Sequence, residues 1–597
     1  MKKIMRRILS VFTATTLCFS LMATVPVTAE TVGAFDIEGG VINTDYTYEN
    51  GVLTINTDTP IRIKNTDPDV STTDRIVVAD GVSAKITLAG VNIDVSDTGE
   101  TIPFTNGVSA LEIFDNSTGN IEITLADNTV NILKSGYGRA GLRKNGTNGS
   151  LEIKGTGSLE AVGGGSGAGI GGDNITEEIG SYIGGSGSNI TINSGTIIAK
   201  GGKGGAGIGG GSLGVGSDIT INGGEITATG GGIDGNSYNR CGAGIGGGHQ
   251  SDGIRITITD GVIKAIAGED GAAGIGGGAS GVGSDITIEG GNVTAEGSKI
   301  GAGIGGGFDG IGSNITISGG IVTVIAKYGA GIGGGSCATS SDITITGSSS
   351  VKSFSTYSNS IGGGQNEEPL TPKNDNSENV YLLELDVDGT SDVTINQIAY
   401  PKNHGTDNKL YVYLPAKTEA DPNVVKIGND TLKYYYDLVN SEWVKIEETI
   451  TEVATPVFNP ENETEFIDSQ TVTITCDTEG ATIYYTTDGT TPSTSGNVYN
   501  GELIITETTT IKAIAVKDGI ESEIATAEYI KKTSDDDEPD LPSPPSPPSS
   551  SDDDDDDDDD DNDDNGDDDN DDNDDDDNDD DGDISAGENI FIKEIIL

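Results

Sequence analysis

Between residues 85 and 365 the apolar positions fall in short runs of strand length, each broken by glycine, serine, asparagine or aspartate. Three runs recur. Ile-Thr-Ile begins at Ile190, Ile219, Ile256, Ile286, Ile315 and Ile343. A second run begins at Ile197, Ile226, Ile263, Val293, Val322 and Val351. The third is the isoleucine of a Gly-Ala-Gly-Ile-Gly-Gly phrase, at Ile170, Ile208, Ile245, Ile275, Ile304, Ile332 and, worn, Ile361. Successive members of this last series lie 38, 37, 30, 29, 28 and 29 residues apart.

A period of this size means stacked units, and none of the runs is long or periodic enough for a helix. One coil cannot bury its apolar side alone. Stacked coils can, because each isoleucine then rests on that of the next coil. Three such side chains give roughly 5–9 kcal/mol of gross burial per coil. That must offset the ordering of about thirty residues, so a single repeat is expected to be unfolded and the array cooperative. The expected fold is all-β: a right-handed parallel β-helix over residues 30–375, with glycines on both sides of the corner isoleucine allowing positive φ. Lys85–Leu88, Ile121–Leu125 and Leu151–Ile153 look like earlier coils, Ala140-Gly141-Leu142 like an earlier corner, and 34–80 like an N-terminal cap. The stack then has roughly nine or ten coils and a length of about 45 Å.

Alternation assigns the faces. The central threonines, Thr191, Thr220, Thr257, Thr287, Thr316 and Thr344, should form an outward file. Beside it run Asn189, Asp218, Arg255, Asp285, Asn314 and Asp342, and on the other side Asn193, Asn222, Thr259, Glu289, Ser318 and Thr346. Arg255 between Asp218 and Asp285 predicts a cross-coil ion ladder. The strip would suit an extended hydroxylated polymer such as a polysaccharide. It is equally what a solvated sheet face rich in strand-favouring threonine looks like.

The N-terminus changes the compartment. Lys2, Lys3, Arg6 and Arg7 precede an apolar stretch and the small-x-small triplet Val27-Thr28-Ala29, the pattern of a signal peptide over 1–29. An extracellular or cell-surface protein is expected, with no membrane insertion after cleavage. Removing the four basic residues takes the net charge from −63 to about −67. Such a chain repels nucleic acid and anionic membranes. It attracts divalent cations and leaves calcium as the candidate ion, though no spaced ligand loop specifies a site. Cys241, Cys337 and Cys476 remain, an odd number, and are expected as buried structural thiols.

The texture shifts after 375. Residues 376–450 lose glycine and gain aromatics, including Tyr411, Tyr413 and the single tryptophan, Trp443. They read as a β-rich C-terminal cap whose rings pack in the core or cap, with stacking on sugars as the functional alternative. Residues 453–531 hold short alternating strands with a turn at Asp488-Gly489, consistent with a small β-sandwich. A Pro/Ser and poly-Asp tract over 532–583 has the composition of a disordered, self-repelling linker, followed by a short tail, 584–597. A shifted or truncated end beyond that tract is one expectation.

Catalytic chemistry has little material. His249 and His404 are the only histidines, and neither has metal-ligand spacing or a nucleophile partner. Asp94, Asp97, Asp234 and Glu269-Asp270 do not align from repeat to repeat. Gly-Ala-Gly-Ile-Gly-Gly fits a dinucleotide fingerprint in letters only, because turns and strands follow it instead of a helix. No catalytic residue, cofactor or defined metal site is expected.

Two stretches resemble known families. Residues 45–365, through Gly51–Ile55, Asp74–Val78, Ile86–Ile93 and the Ala-Gly-Ile-Gly-Gly-Gly series, resemble glycine-rich β-helix surface proteins of bacteria described as carbohydrate-binding. The resemblance implies a polysaccharide or a host or cell-wall glycan as partner. Arg62-Ile63-Lys64 resembles an Arg-x-Lys element of polygalacturonases, whose companion histidine and aspartate motifs this chain lacks. Residues 455–530, through Thr455–Pro460, Val472–Ile474, Gly480–Pro492, Tyr499 and Thr510–Ala515, resemble the chitobiase/β-hexosaminidase C-terminal module. That module is immunoglobulin-like and accessory. Departures at Asn462-Glu463 and Glu502 touch turns only. The expectation is therefore a glycan-binding or adhesive scaffold without catalysis. The alternatives are a stalk displaying the sandwich or, less favoured, a β-helix polysaccharide lyase or hydrolase.

Overall fold

The computed structural model describes residues 29–533, apart from 102–103, 115–117, 179–180, 233–239, 402–406 and 447–450. The signal peptide, the acidic tract, the final tail, His404 and Asp234 lie outside the described residues. Among those described, every regular element is a strand. None is a helix long and apolar enough to cross a membrane. The chain divides into two compact units, Met1–Thr449 and Ile450–Leu597.

The first unit is a parallel β-helix with three sheets. The first sheet collects the Ile-Thr-Ile runs and has 12 strands, ending in Gly187–Ile192, Gly216–Ile221, Gly253–Ile258, Gly283–Ile288, Gly312–Ile317 and Ser340–Ile345. A second 12-stranded sheet holds the corner isoleucines as two-residue strands from Ile170–Gly171 to Ile361–Gly362. The third has nine strands, from Asn92–Asp94 to Ser350–Ser355.

Register is set residue on residue. Ile190 pairs with Ile219, Ile219 with Ile256, and so on to Ile343. Ile197 stacks through to Val351, and Ile170 through to Ile361, in the same way. These side chains merge into one apolar interior running from Val32 to Ile361. The period therefore persists because a shift of one residue would turn a whole isoleucine file into solvent.

The two corner glycines have different tasks. Gly209, after the isoleucine, sits at φ +132°, and a Cβ there would come within 2.0 Å of the Gly246 carbonyl oxygen. Gly207, before it, has no left-handed φ; a Cβ there would lie 2.6 Å from the Gly244 oxygen of the next coil. Positive φ thus holds on one side of the isoleucine only, and close stacking demands glycine on the other.

Stacking begins earlier than the expected cap boundary. The antiparallel parts are Glu30–Val32 on Phe35–Glu38, Phe35–Glu38 on Ile61–Asn65, and Tyr46–Glu49 on Val52–Ile55. Val52–Ile55 already pairs in parallel with Arg75–Val78, and Ile61–Asn65 with Lys85–Leu88. Arg62 and Lys64 serve this start, pairing with Glu38 and Asp36 of the antiparallel neighbour, each at 3.5 Å.

At the far end, Val380–Asp386 pairs with Lys409–Pro415, and a five-stranded antiparallel sheet follows, ending in Glu442–Ile446. Leu370 and Tyr413 from this region pack against the solenoid interior. The second unit is an immunoglobulin-like sandwich of a three-stranded and a six-stranded sheet closing on Phe458, Val472, Ile474, Ile511 and Tyr529. Tyr499 accepts the Ile474 amide hydrogen at 3.0 Å and meets Tyr485 edge-on.

The cysteines are free and differ in setting. Cys241 is buried in a small pocket of alanines, Cys476 is half-buried and Cys337 is exposed. The expectation of three buried thiols holds only for Cys241: Cys476 is half-buried, and Cys337 occupies a left-handed turn position at φ 70° outside the apolar interior.

Candidate functional site

The six threonines of the first sheet stand in register, Thr191 on Thr220 and onward to Thr344. Each is half-buried, less open than the alternation alone implied. Among the described residues no hydrogen bond to another protein group engages their hydroxyls. Upstream the file continues as Glu152, Glu122 and Lys85, so its hydroxyl character belongs to the regular coils only.

The flanking files are occupied with each other. Asn193 donates to Glu152 at 2.8 Å, Asn222 to Asn193 at 2.8 Å, and Thr259 to Asn222 at 3.1 Å. On the opposite flank, Asn189, Asp218, Arg255, Asp285, Asn314 and Asp342 all take a left-handed backbone, with φ between 51° and 55°. The ladder skips each of them: Ser188 pairs with Ser217, then Ile190 with Ile219. Asn and Asp tolerate this conformation best, which accounts for their recurrence here.

Arg255 grips only one neighbour. Two of its guanidinium nitrogens donate to Asp218 at 2.6 and 2.8 Å, and these bonds hold the Asp218 carboxyl below its ordinary range. Asp285 accepts from Ser284 and Asn314 instead. The continuous ion ladder is therefore a single forked pair. With Asn189, Thr191, Thr220 and Thr257 this pair borders an open concavity of about 600 Å³.

The cap aromatics do not gather into one site. Tyr413 is a plug on the solenoid end, and burial pushes its hydroxyl far up. Tyr411 donates to Asp407 at 2.8 Å and lies under the Lys352 ammonium, 4.9 Å from its ring centre. Trp443 donates to the Leu382 carbonyl at 2.7 Å and meets Tyr436 edge-on, while Tyr436 stacks on Tyr381 at 4.0 Å.

A larger concavity, about 860 Å³, lies where no repeat motif pointed. Its walls come from the two long coils and their neighbours, Tyr137 lying before the first and His249 after the second. The step of 38 residues contains an extra antiparallel hairpin, Asn174–Glu178 with Ser181–Gly184, which brings Tyr182 to the rim. Arg240 comes from the step of 37. His249 lies at the wall, nine-tenths buried, with no hydrogen-bond partner for Nδ1. The surplus of seven to ten residues over the 28–30 of the later coils was the available sequence signal.

Among the described residues no group of three or more His, Cys, Asp or Glu side chains is placed to hold a metal ion. Asp94 accepts from Lys134 and Ser96, and Glu269 supplies its carbonyl to the Cys241 thiol.

Residues 460–527 match the family model described as chitobiase/beta-hexosaminidase C-terminal domain. Five segments, 190–212, 219–249, 256–279, 286–308 and 315–336, match the model of the beta helix repeat. No curated protein and no solved structure matches the chain. These two modules fit a surface or carbohydrate-related protein.

Proposed function

We propose that this chain is an exported glycan-binding or adhesive scaffold that performs no catalysis, working outside the cell or on its surface. The observation carrying the proposal is the in-register threonine file of the first sheet. Parallel stacking repeats the hydroxyl every coil, at about 4.8 Å, close to the length of one sugar ring. An extended polysaccharide laid along the stack meets an unengaged hydroxyl at each step. The adjoining asparagine and aspartate files, bonded among themselves, hold the face rigid, so little ordering is left for binding to offset.

The export reading rests on the basic-apolar N-terminal pattern and on the acidic charge, which disfavours nucleic acid and anionic membranes. The accessory module matched at 460–527 supports a glycan context. A stalk role is the second reading, favoured by the mutual bonding of the flanking files; in that case only residues 455–530 bind anything.

Retention of the full chain on insoluble polysaccharides, and on a broad glycan panel with and without calcium, tests the proposal. Thr220→Val with Thr287→Val should lower retention several-fold while the circular-dichroism spectrum stays that of a β protein. No retention on any glycan would overturn it, and release of reducing ends or unsaturated products would restore an enzyme.

A further inference from the structure

The cleft between the two long coils carries chemistry unlike the rest of the molecule. The protein has a net charge of −63, yet the described wall of this cleft contains Lys200, Lys203 and Arg240 and no carboxylate. Lys200 is partly neutralised by Glu160, 2.7 Å away outside the wall. Lys203 and Arg240 are exposed at the rim. Low-dielectric walls of one sign focus the field, so the described wall presents positive charge on an acidic body.

Two rings enter the same space. Tyr137 ends its strand half-buried, and Tyr182 reaches in from the inserted hairpin. Burial raises the Tyr137 hydroxyl pKa; Tyr182 adds to that and Arg240 opposes it, which places all three within electrostatic reach. Deeper in, the His249 ring is held by its backbone: its amide donates to the Gly204 carbonyl at 2.7 Å, and its own carbonyl accepts from Leu213 at 2.9 Å. Its Nδ1 is left without a protein partner, which an isolated buried nitrogen does not tolerate without cost. Burial, with Arg240 beside it, lowers its pKa to about 4, so at neutral pH it is an uncharged group that can bond a hydroxyl.

Aromatic faces, paired cations and a neutral, unsatisfied imidazole together describe one kind of guest. We propose that this cleft binds a carboxylate-bearing sugar ring, a uronate unit of an acidic polysaccharide. The carboxylate would lie against Arg240 and Lys203, the ring against Tyr137 and Tyr182, and a hydroxyl at His249. The proposal builds on the glycan-binding reading but locates recognition on a different surface from the threonine file.

The test is titration of the full chain with oligogalacturonate of three to six units, with its methyl-esterified counterpart and with inorganic sulfate as comparison probes. Oligogalacturonate should bind, and the ester about ten-fold more weakly or not at all. Lys203→Gln with Arg240→Gln, both at exposed positions, should cost about ten-fold in affinity. Tyr182→Ala should lower it several-fold, and the His249 ring signals should shift on binding. Equal binding of ester and acid, equal competition by sulfate, or an unchanged affinity in the double variant would each overturn the assignment. Polysaccharide retention that depends on Thr220 and Thr287 but not on Arg240 and Lys203 would refute the cleft while sparing the scaffold. Oligogalacturonate binding lost only in the Arg240/Lys203 variant, with no dependence on the threonines, would support the cleft and refute the threonine file as the binding surface.

Discussion

Arg143 donates its Nε hydrogen to Asp173 inside the corner sheet, where both side chains are all but sealed from water. Asp173 also accepts from Arg139 at 2.7 Å and from the Ala140 amide at 2.8 Å, while Arg143 reaches Glu112 at 2.7 Å. Asp173 stands at the motif position where the next coil has Gly211. Asp173→Gly should therefore destabilise the protein by about 3–5 kcal/mol although glycine is the repeat's own residue there, because it removes the buried carboxylate shared by Arg143, Arg139 and the Ala140 amide and leaves Arg143 to the partly exposed Glu112. Urea unfolding of the full chain measures this, and the double change Asp173→Gly with Arg143→Met should lose less than the two single changes added.

Gly276→Ala attacks the stack at one corner. The residue sits at φ +128°, and its Cβ would fall 2.1 Å from the Gly305 oxygen. The left-handed backbone alone costs about 1–2 kcal/mol, and the contact forces neighbouring coils apart. A lowered unfolding midpoint well beyond that of Gly389→Ala, in a site with nothing near its Cβ, is the expected result.

Arg255→Asn should leave stability within about 0.5 kcal/mol of the parent or slightly above it. The Arg255–Asp218 pair is exposed and contributes little, whereas asparagine relieves an arginine held at φ 53°. A loss above ~1 kcal/mol in denaturant unfolding would show that the forked pair matters more than the backbone.

His249 should titrate near 4 by NMR, well under an ordinary histidine. Its folded pKa lies below the unfolded value of about 6.5. The native state thus binds fewer protons, and stability present above pH 6.5 is lost as pH falls through 4. His249→Gln should flatten the pH dependence of stability in that window.

Thiol labelling should rank Cys337 first, Cys476 second and Cys241 last. Cys337 is exposed and Cys476 half-buried, while burial raises the Cys241 thiol to about 12 and starves it of thiolate. Mass spectrometry after a timed maleimide pulse reads the order. Modification of Cys241 at the rate of Cys337 would contradict its burial.

Much of this was legible along the chain. The isoleucine files and the threonine file follow from period and alternation, because parallel stacking places each residue on its counterpart one coil later, and the β-rich texture of 376–450 follows from its loss of glycine and gain of aromatics. The turn residues Asn189, Asp218 and Asn314 also carried their left-handed backbone in their identity, though Arg255 concealed it. By contrast, the sequence left Tyr413 between stacking on a sugar and packing in the cap, and the structure makes it a plug, while His249 looked idle and lines the cleft of about 860 Å³.

The sequence by itself determined which side chains face inward and how often, since a local two-residue alternation and a coil-length period encode both. Only the tertiary structure decided which distant residues meet. Arg143 finds Asp173 thirty positions on, and Tyr137, Tyr182, Arg240 and His249 converge from separate coils and from the long loops that break the period. Burial direction is a property of neighbouring residues, whereas convergence depends on the path the chain takes between coils, which no local pattern specifies.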